Sequence, residues 1–179
     1  MKTQRLHLRT WQDSDLAPFC KLNEDTRVMA HFPKPLTEDE TKSVIQRIQT
    51  HFETHGFGLW AVTVNDTQEF IGYVGLNIPH FEAHFTPCVE IGWRLSANHW
   101  GKGYATEAAQ TVLKYAFETL KLNEIVSFTV PKNTRSIRVM EKIGMKRDFN
   151  GDFMHPKLPP THPLAMHILY RISQKRSEH

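Results

Sequence analysis

The sequence is short of several things that would settle its class at once. Only two cysteines occur in 179 residues, Cys20 and Cys88, which is too few for a disulfide framework and lacks the spacing of a metal set. They read as small apolar residues, Cys20 in a helix and Cys88 beside Pro87 in a strand. No apolar run approaches the length of a membrane span. The first residues alternate charged and apolar side chains and do not form the apolar core of a secretion signal. A cytoplasmic protein with no membrane partner is therefore expected. The net charge is only +3, from 22 basic and 19 acidic residues, and the basic ones are scattered. That argues against nucleic acid as a partner and leaves a mild excess suited to an anionic ligand. Internal repeats and low-complexity stretches are absent.

What is present is globular: 40% hydrophobic and 23% charged residues, in a length that fits one α/β domain over residues 1–179 with a single substantial core. Leu6 and Leu8 alternate with polar neighbours and predict a strand over 5–9. Ser14 is the expected N-cap of a helix carrying Leu16, Phe19, Cys20 and Leu22. Pro33 and Pro35 break the chain, and Thr37 with Glu40 forms a capping box. The helix after it carries a stripe of Val44, Ile45, Ile48 and Phe52 and ends at Gly56 and Gly58. Strands are predicted over 59–64, 70–78 and 89–95, with a Pro-bounded loop at 79–87. A helix follows, with Ala105, Ala109, Val112, Phe117 and Leu120 inward. Next come a strand over 124–130, a helix over 133–143 stopped by Gly144, and a last strand over 164–172.

Between the strand ending at Leu95 and the alanine-rich helix lies Trp100-Gly-Lys-Gly-Tyr-Ala105. Two glycines before a helix permit positive φ and let a ligand oxygen reach the backbone. The amides of the first helical turn, with the helix dipole, form a site for phosphate or pyrophosphate. A Walker loop needs a Lys-Ser/Thr pair after its last glycine, and Tyr104-Ala105 stands there. A Rossmann loop needs a third glycine where Thr106 stands, and an acid ending the next strand, which is not evident. The structural alternative is a plain helix cap.

In its context this loop resembles the pyrophosphate loop of the GNAT superfamily of acetyl-CoA-dependent N-acetyltransferases. Gly103 and Ala105 fall on its glycine and alanine, and Trp100 stands where Arg or Gln is usual. Within the superfamily, Trp100-Gly-Lys-Gly-Tyr-Ala-Thr-Glu-Ala108 resembles the branch of ribosomal-protein N-terminal acetyltransferases. Two other segments resemble that branch as well. One is the opening Thr3 to Trp11 with Asp13 and Asp15. The other is Asn133-Thr-Arg-Ser136 continuing to Glu141-Lys-Ile-Gly-Met145.

The resemblance implies a GNAT fold: an α/β (α+β) domain with a mixed, mostly antiparallel central sheet, helices on both faces, and two splayed central strands that form the acetyl-CoA cleft. It implies acetyl-CoA as cosubstrate and direct acetyl transfer to a primary amine in a ternary complex. The acceptor classes left open are a protein N-terminus, a free amino acid, a polyamine and an amino sugar. No acidic cluster favours the last two. The fold often dimerises, so a homodimer is an open expectation.

Carried over residue by residue, Ile91, Gly92, Trp93 and Arg94 form the strand edge along pantetheine, with an N–H near Ile91 or Gly92 facing the thioester oxygen. Gly92 within a strand marks a bulge or a close approach. Gly101, Lys102, Gly103, Tyr104, Ala105 and Thr106 would hold the pyrophosphate, Lys102 being either an added charge or a solvated loop lysine. Asn133 matches the family asparagine and is also a natural N-cap. Arg135 and Arg138 are either near the 3′-phosphate or on the surface. A tyrosine commonly serves as acid seven residues after the asparagine, and here that position is Met140, which has no proton to donate. Ser136 becomes the candidate donor near the sulfur, against a plain structural serine. Glu90 is the candidate base, against a salt-bridged strand-end glutamate, with His80 and His84 behind it.

The later histidines, His155, His162 and His167, stand among prolines with no cysteine or close carboxylate, so no metal site is expected. That stiff loop is expected to wall the acceptor pocket together with His31, Phe32 and Pro33. Two competing readings remain. One is a non-catalytic acyl-CoA-binding or sensory domain, which Met140 would permit. The other is a nucleotide-binding protein that shares only the glycine turn.

Overall fold

The capping box at Thr37 forms as its spacing dictates. In the computed structural model, which describes residues 1–174, Thr37 Oγ1 accepts from the Glu40 amide at 3.2 Å and Glu40 returns a carboxylate oxygen to the Thr37 amide at 2.9 Å. The helix it opens, α2 (Glu38–His55), ends at Gly56 in the left-handed conformation, φ 73°. Ahead of it, α1 spans Leu16–Glu24. Its start differs from expectation, because Ser14 sits inside a short 3₁₀ turn, Asp13–Asp15. The working carboxylate is Asp15, 1% exposed, which accepts from the Gln12 amide at 2.9 Å and is paired with Arg9 at 2.7 Å. A buried carboxylate needs a cationic partner, and a serine hydroxyl would leave Arg9 without one.

Seven strands form one sheet: β1 (Leu6–Arg9), β2 (Leu59–Val64), β3 (Phe70–Asn77), β4 (Glu90–Leu95), β5 (Glu124–Thr129), β6 (Lys146–Met154) and β7 (Met166–Ser173). Their spatial order is β1-β2-β3-β4-β5-β7-β6. Every pairing is antiparallel except β4 with β5. Helices α3 (Tyr104–Glu118) and α4 (Thr134–Lys142) complete the set. The strand β6 was not expected. Only Gly151 and Phe153 are buried along it, and its register against β7 shifts between Asp148 and Phe153. A half-exposed, bulged edge strand shows no run of alternating apolar residues.

Alternation along the strands sorts the sheet into two faces. Ile91, Leu95, Val74 and Leu76 pack with Ala109, Val112 and Leu113 of α3 and Met140 of α4 in the larger core. On α3 the inward set is Ala108, Ala109, Val112, Leu113 and Ala116; Phe117 and Ala105 are half-buried and Leu120 lies past the helix. The other face carries Tyr73 and Ala61 against Phe19 and Leu22 of α1 and Ile48 of α2 in a second core. A third cluster, Phe85, Val126, Phe153 and Leu169, lies under the loop before β4. Cys88 sits in that loop, just short of β4, and burial pushes its thiol up to about 11. Among the described residues no helix is long and apolar enough to cross a membrane.

Candidate active site

The two parallel strands barely touch. Glu90 and Val126 form the one register pair between β4 and β5. The Val126 amide donates to the Val89 carbonyl at 2.9 Å, and the buried Ser127 hydroxyl donates to the Ile91 carbonyl at 2.9 Å. Past that point the strands part, over a cavity of about 830 Å³. Because main-chain direction alternates, Ile91 and Trp93 turn their backbone groups toward β5, where Ile91 meets Val126 and Ser127 and Trp93 lies at the gap, while those of Gly92 and Arg94 turn toward β3. The β3–β4 register runs unbroken, so Gly92 makes no bulge. A Cβ there would meet only the Glu90 carboxylate, at 3.9 Å. The missing side chain leaves open space on the face shared by Glu90, Gly92 and Arg94.

At the wide end of the gap stands the glycine loop. Gly101 and Gly103 have φ of 75° and 80°, which explains both residues, and Gly103 is the N-cap of α3 with no side chain closing the first turn. The amides of that turn therefore stay open toward the cavity, which Gly101, Gly103, Tyr104, Ala105 and Thr106 line. Arg5 braces the loop from β1's approach. It donates to the Lys102 carbonyl at 2.8 Å and to Glu107 at 2.7 Å, and its guanidinium lies 4.7 Å from the Tyr104 ring centroid. Trp100 ties the loop to the end of β4 by donating to the Leu95 carbonyl at 3.0 Å, and its ring seats the Arg135 guanidinium at 4.1 Å.

Across the gap, Asn133 caps α4. Its Oδ1 accepts from the Ser136 amide at 3.3 Å, and its Nδ2 donates to Thr129 Oγ1 at 2.9 Å and Ser136 Oγ at 3.1 Å. Trp93 Nε1 also donates to Ser136 Oγ, at 3.3 Å. With two N–H groups on its oxygen, the Ser136 hydroxyl keeps its own proton to donate. At the narrow end, burial pushes the Glu90 carboxyl up to about 7, with Asn77 and the charge of Lys157 pulling weakly the other way. That is the range in which a carboxylate takes a proton from an ammonium at neutral pH.

A strand pair parted over a cleft, with open amides at its wide end, leaves room for an elongated ligand with an anionic end. Residues 5–146 match the family described as the acetyltransferase (GNAT) domain. The chain belongs to the GNAT acetyltransferases. As a GNAT protein it is an acetyl-CoA-dependent N-acetyltransferase. It is similar to the uncharacterized N-acetyltransferase YnaD of Bacillus subtilis, 32% identical over 147 residues and 82% of each chain. Among solved structures, the GNAT-family acetyltransferase of Bacillus anthracis is 31% identical with a TM-score of 0.78, over 97% of both chains. The ribosomal-protein-S5-alanine acetyltransferase of Vibrio fischeri shares the fold at 19% identity, with a TM-score of 0.76 over 100% of this chain and 98% of that one.

Of the residues picked out from sequence for the cofactor, together with Glu90 and Ser136, the cavity gathers all but Lys102. Lys102 is exposed and outside the cavity wall, its carbonyl taken by Arg5. His80 and His84 are exposed and also lie off the cavity, His84 being 3.3 Å from the Gly151 carbonyl. Met140 is 1% exposed in the main core, so a tyrosine's hydroxyl has no counterpart there. Two histidines that sequence reasoning placed merely in a wall, His155 and His167, line the cavity with ring centroids 5.0 Å apart. Arg5 and Ser127 were missed. Arg5 looked like the start of a strand, and nothing in the sequence tells that Ser127 reaches a neighbouring strand's carbonyl.

Proposed function

We propose that this chain, acting as one domain, moves the acetyl group of acetyl-CoA onto a primary amine by direct attack in a ternary complex. The observation that carries the reading is the single register pair between β4 and β5, beyond which the backbone edge at Trp93 lies open to the cleft. Pantetheine amides complete that edge, and the open amides from Gly101 to Thr106, Lys102 excepted, take the pyrophosphate. The Ile91 N–H is used in the pairing with Val126 and its carbonyl by Ser127, so the Trp93 N–H, next on the gap side, faces the pantetheine arm near the thioester. The amine nitrogen then attacks the thioester carbon, a C–N bond forms, and the C–S bond breaks. Glu90 receives the amine proton, directly or through one water. The departing thiolate accepts a hydrogen bond from Ser136 and takes its proton from solvent. A thiol, with an ordinary pKa of about 8.5, is a far better leaving group than an alcohol, so a weak donor suffices where Met140 replaces an acid. Dependence on acetyl-CoA, with both cysteines free, supports work in the cytoplasm.

The test is to titrate acetyl-CoA by calorimetry and to follow thiol release against a panel of amines. Binding with amine-dependent release is expected. Binding without release from any amine would favour a sensory acyl-CoA domain, and no binding would remove the reading of the glycine loop.

A further inference from the structure

Among the described residues, Arg94 is a cation without a counterion. Its Nη1 donates to Asn23 Oδ1 at 2.8 Å, a neutral acceptor on α1 that is itself fully buried. Its guanidinium lies 4.2 Å from the Phe32 ring centroid and 5.5 Å from that of Tyr73. Its Nε is buried with no acceptor. No carboxylate among the described residues forms an ion pair with it, whereas Arg5, Arg9, Arg27, Arg147 and Arg171 each have one. A half-buried guanidinium held by an amide and two rings keeps its orientation and lacks only negative charge.

The coenzyme does not readily supply that charge. The glycine loop opens into α3, and α3 and α4 cover the face of Ile91, Trp93 and Leu95. Arg94 belongs to the opposite face, with Glu90 and Gly92, under α1 and the segment after it. On that face the open space over Gly92 lies between the candidate base and the arginine. Successive same-face residues of a strand are spaced by roughly 6.6 Å, so an amine near Gly92 is within reach of Glu90 on one side and Arg94 on the other. Arg47 lines the same cavity, also without an ion pair among the described residues, so the acceptor side has cations to match an anion and only Glu90 to match a second ammonium.

We infer that the acceptor carries a carboxylate or phosphate a few ångströms from its amine, and that Arg94 holds that anionic group. This rests on the transferase reading and narrows it: small amino acids and their phosphorylated analogues fit, and polyamines do not.

The experiment uses the full chain with saturating acetyl-CoA and matched pairs of amines. Amino acids are compared with their carboxamides, and ethanolamine phosphate with ethanolamine, with thiol release as the readout. The wild type is expected to prefer the charged member by at least about tenfold in kcat/KM, mostly through KM, and the two series tell carboxylate from phosphate. In Arg94→Met the preference should fall to about one. Arg94→Lys should keep part of it. Acetyl-CoA titration of each variant checks the fold, and the wild-type ratio stands even where a variant does not fold. Equal or better use of neutral amines by the wild type overturns the inference and leaves the transferase intact. Loss of both members alike in Arg94→Met, with acetyl-CoA still bound, also overturns it. No turnover in either series despite bound acetyl-CoA overturns both.

Discussion

The Trp93 indole N–H reaches the Ser136 hydroxyl at 3.3 Å, joining β4 to α4 across the gap between the parted strands. The bond places a hydroxyl proton inside the cleft and fixes its direction, because Asn133 donates to the same oxygen. Removing the hydroxyl in Ser136→Ala is expected to lower kcat about tenfold with acetyl-CoA affinity nearly unchanged. Trp93→Phe, which removes one of the two orienting donors, should have a smaller effect of the same kind. Steady-state kinetics beside calorimetry tell the two parameters apart, and an unchanged kcat in Ser136→Ala would leave the serine a purely structural role.

Glu90 must be ionised to accept a proton, and burial holds its carboxyl at about 7. The expected kcat/KM therefore rises with pH up to about 7 and then levels, until other groups titrate. Glu90→Gln is expected to lose roughly 10²–10³ in kcat together with that acid limb. A variant that keeps the limb would move the base elsewhere in the cavity, to His167 first. Burial keeps that imidazole neutral, and its Nδ1 donates to the Ala165 carbonyl at 3.1 Å, which leaves Nε2 as an acceptor.

Arg5 holds the glycine loop through the Lys102 carbonyl and holds Glu107, in the first turn of α3, through a 2.7 Å ion pair. Arg5→Met is expected to weaken acetyl-CoA binding by roughly five- to tenfold and to leave kcat at saturation close to wild type. The measurement is a calorimetric titration beside a saturation curve. A drop in kcat without a change in affinity would contradict this bracing role.

Burial pushes His155 down to about 4 from its ordinary 6.5, with His167 beside it also lowered. The folded protein keeps both rings neutral where the unfolded chain would bind protons. Their share of stability is thus complete above about 6.5 and is lost as pH falls toward 4. For half-buried rings that share is on the order of 1–2 kcal/mol after solvent screening. Glu90 works in the opposite sense: its raised carboxyl favours the folded state at low pH, and that contribution fades as pH rises to about 7. Comparing His155→Phe with wild type cancels the Glu90 contribution. The variant should lose less of its thermal midpoint between pH 7 and pH 5, and parallel curves would rule the histidine out.

Much of the fold was legible because local signals agreed with tertiary ones. Thr37 and Glu40 bracket a helix start by spacing alone, and the glycines at 101 and 103 sit where positive φ is needed. Where legibility failed, the deciding contact lay far off in sequence. The strand β6 is held by its partner and by ion pairs such as Asp148 with Arg171 at 2.8 Å, which no periodicity reveals. Arg94 reads as one more strand residue until Asn23, 71 positions earlier, is found beside it. The same holds for Ser136, whose orienting indole stands 43 positions upstream.

The parted strands also bear on how such a protein can diversify. In the proposed binding mode the rim at Trp93 and the turn from Gly101 to Thr106 would dock the donor through peptide groups, which every amino acid carries, so substitutions around them would leave those points in place. The opposite wall presents the side chains of Glu90 and Arg94, and there a single codon change alters what fits. A lineage built this way can exchange its acceptors while inheriting its acyl donor.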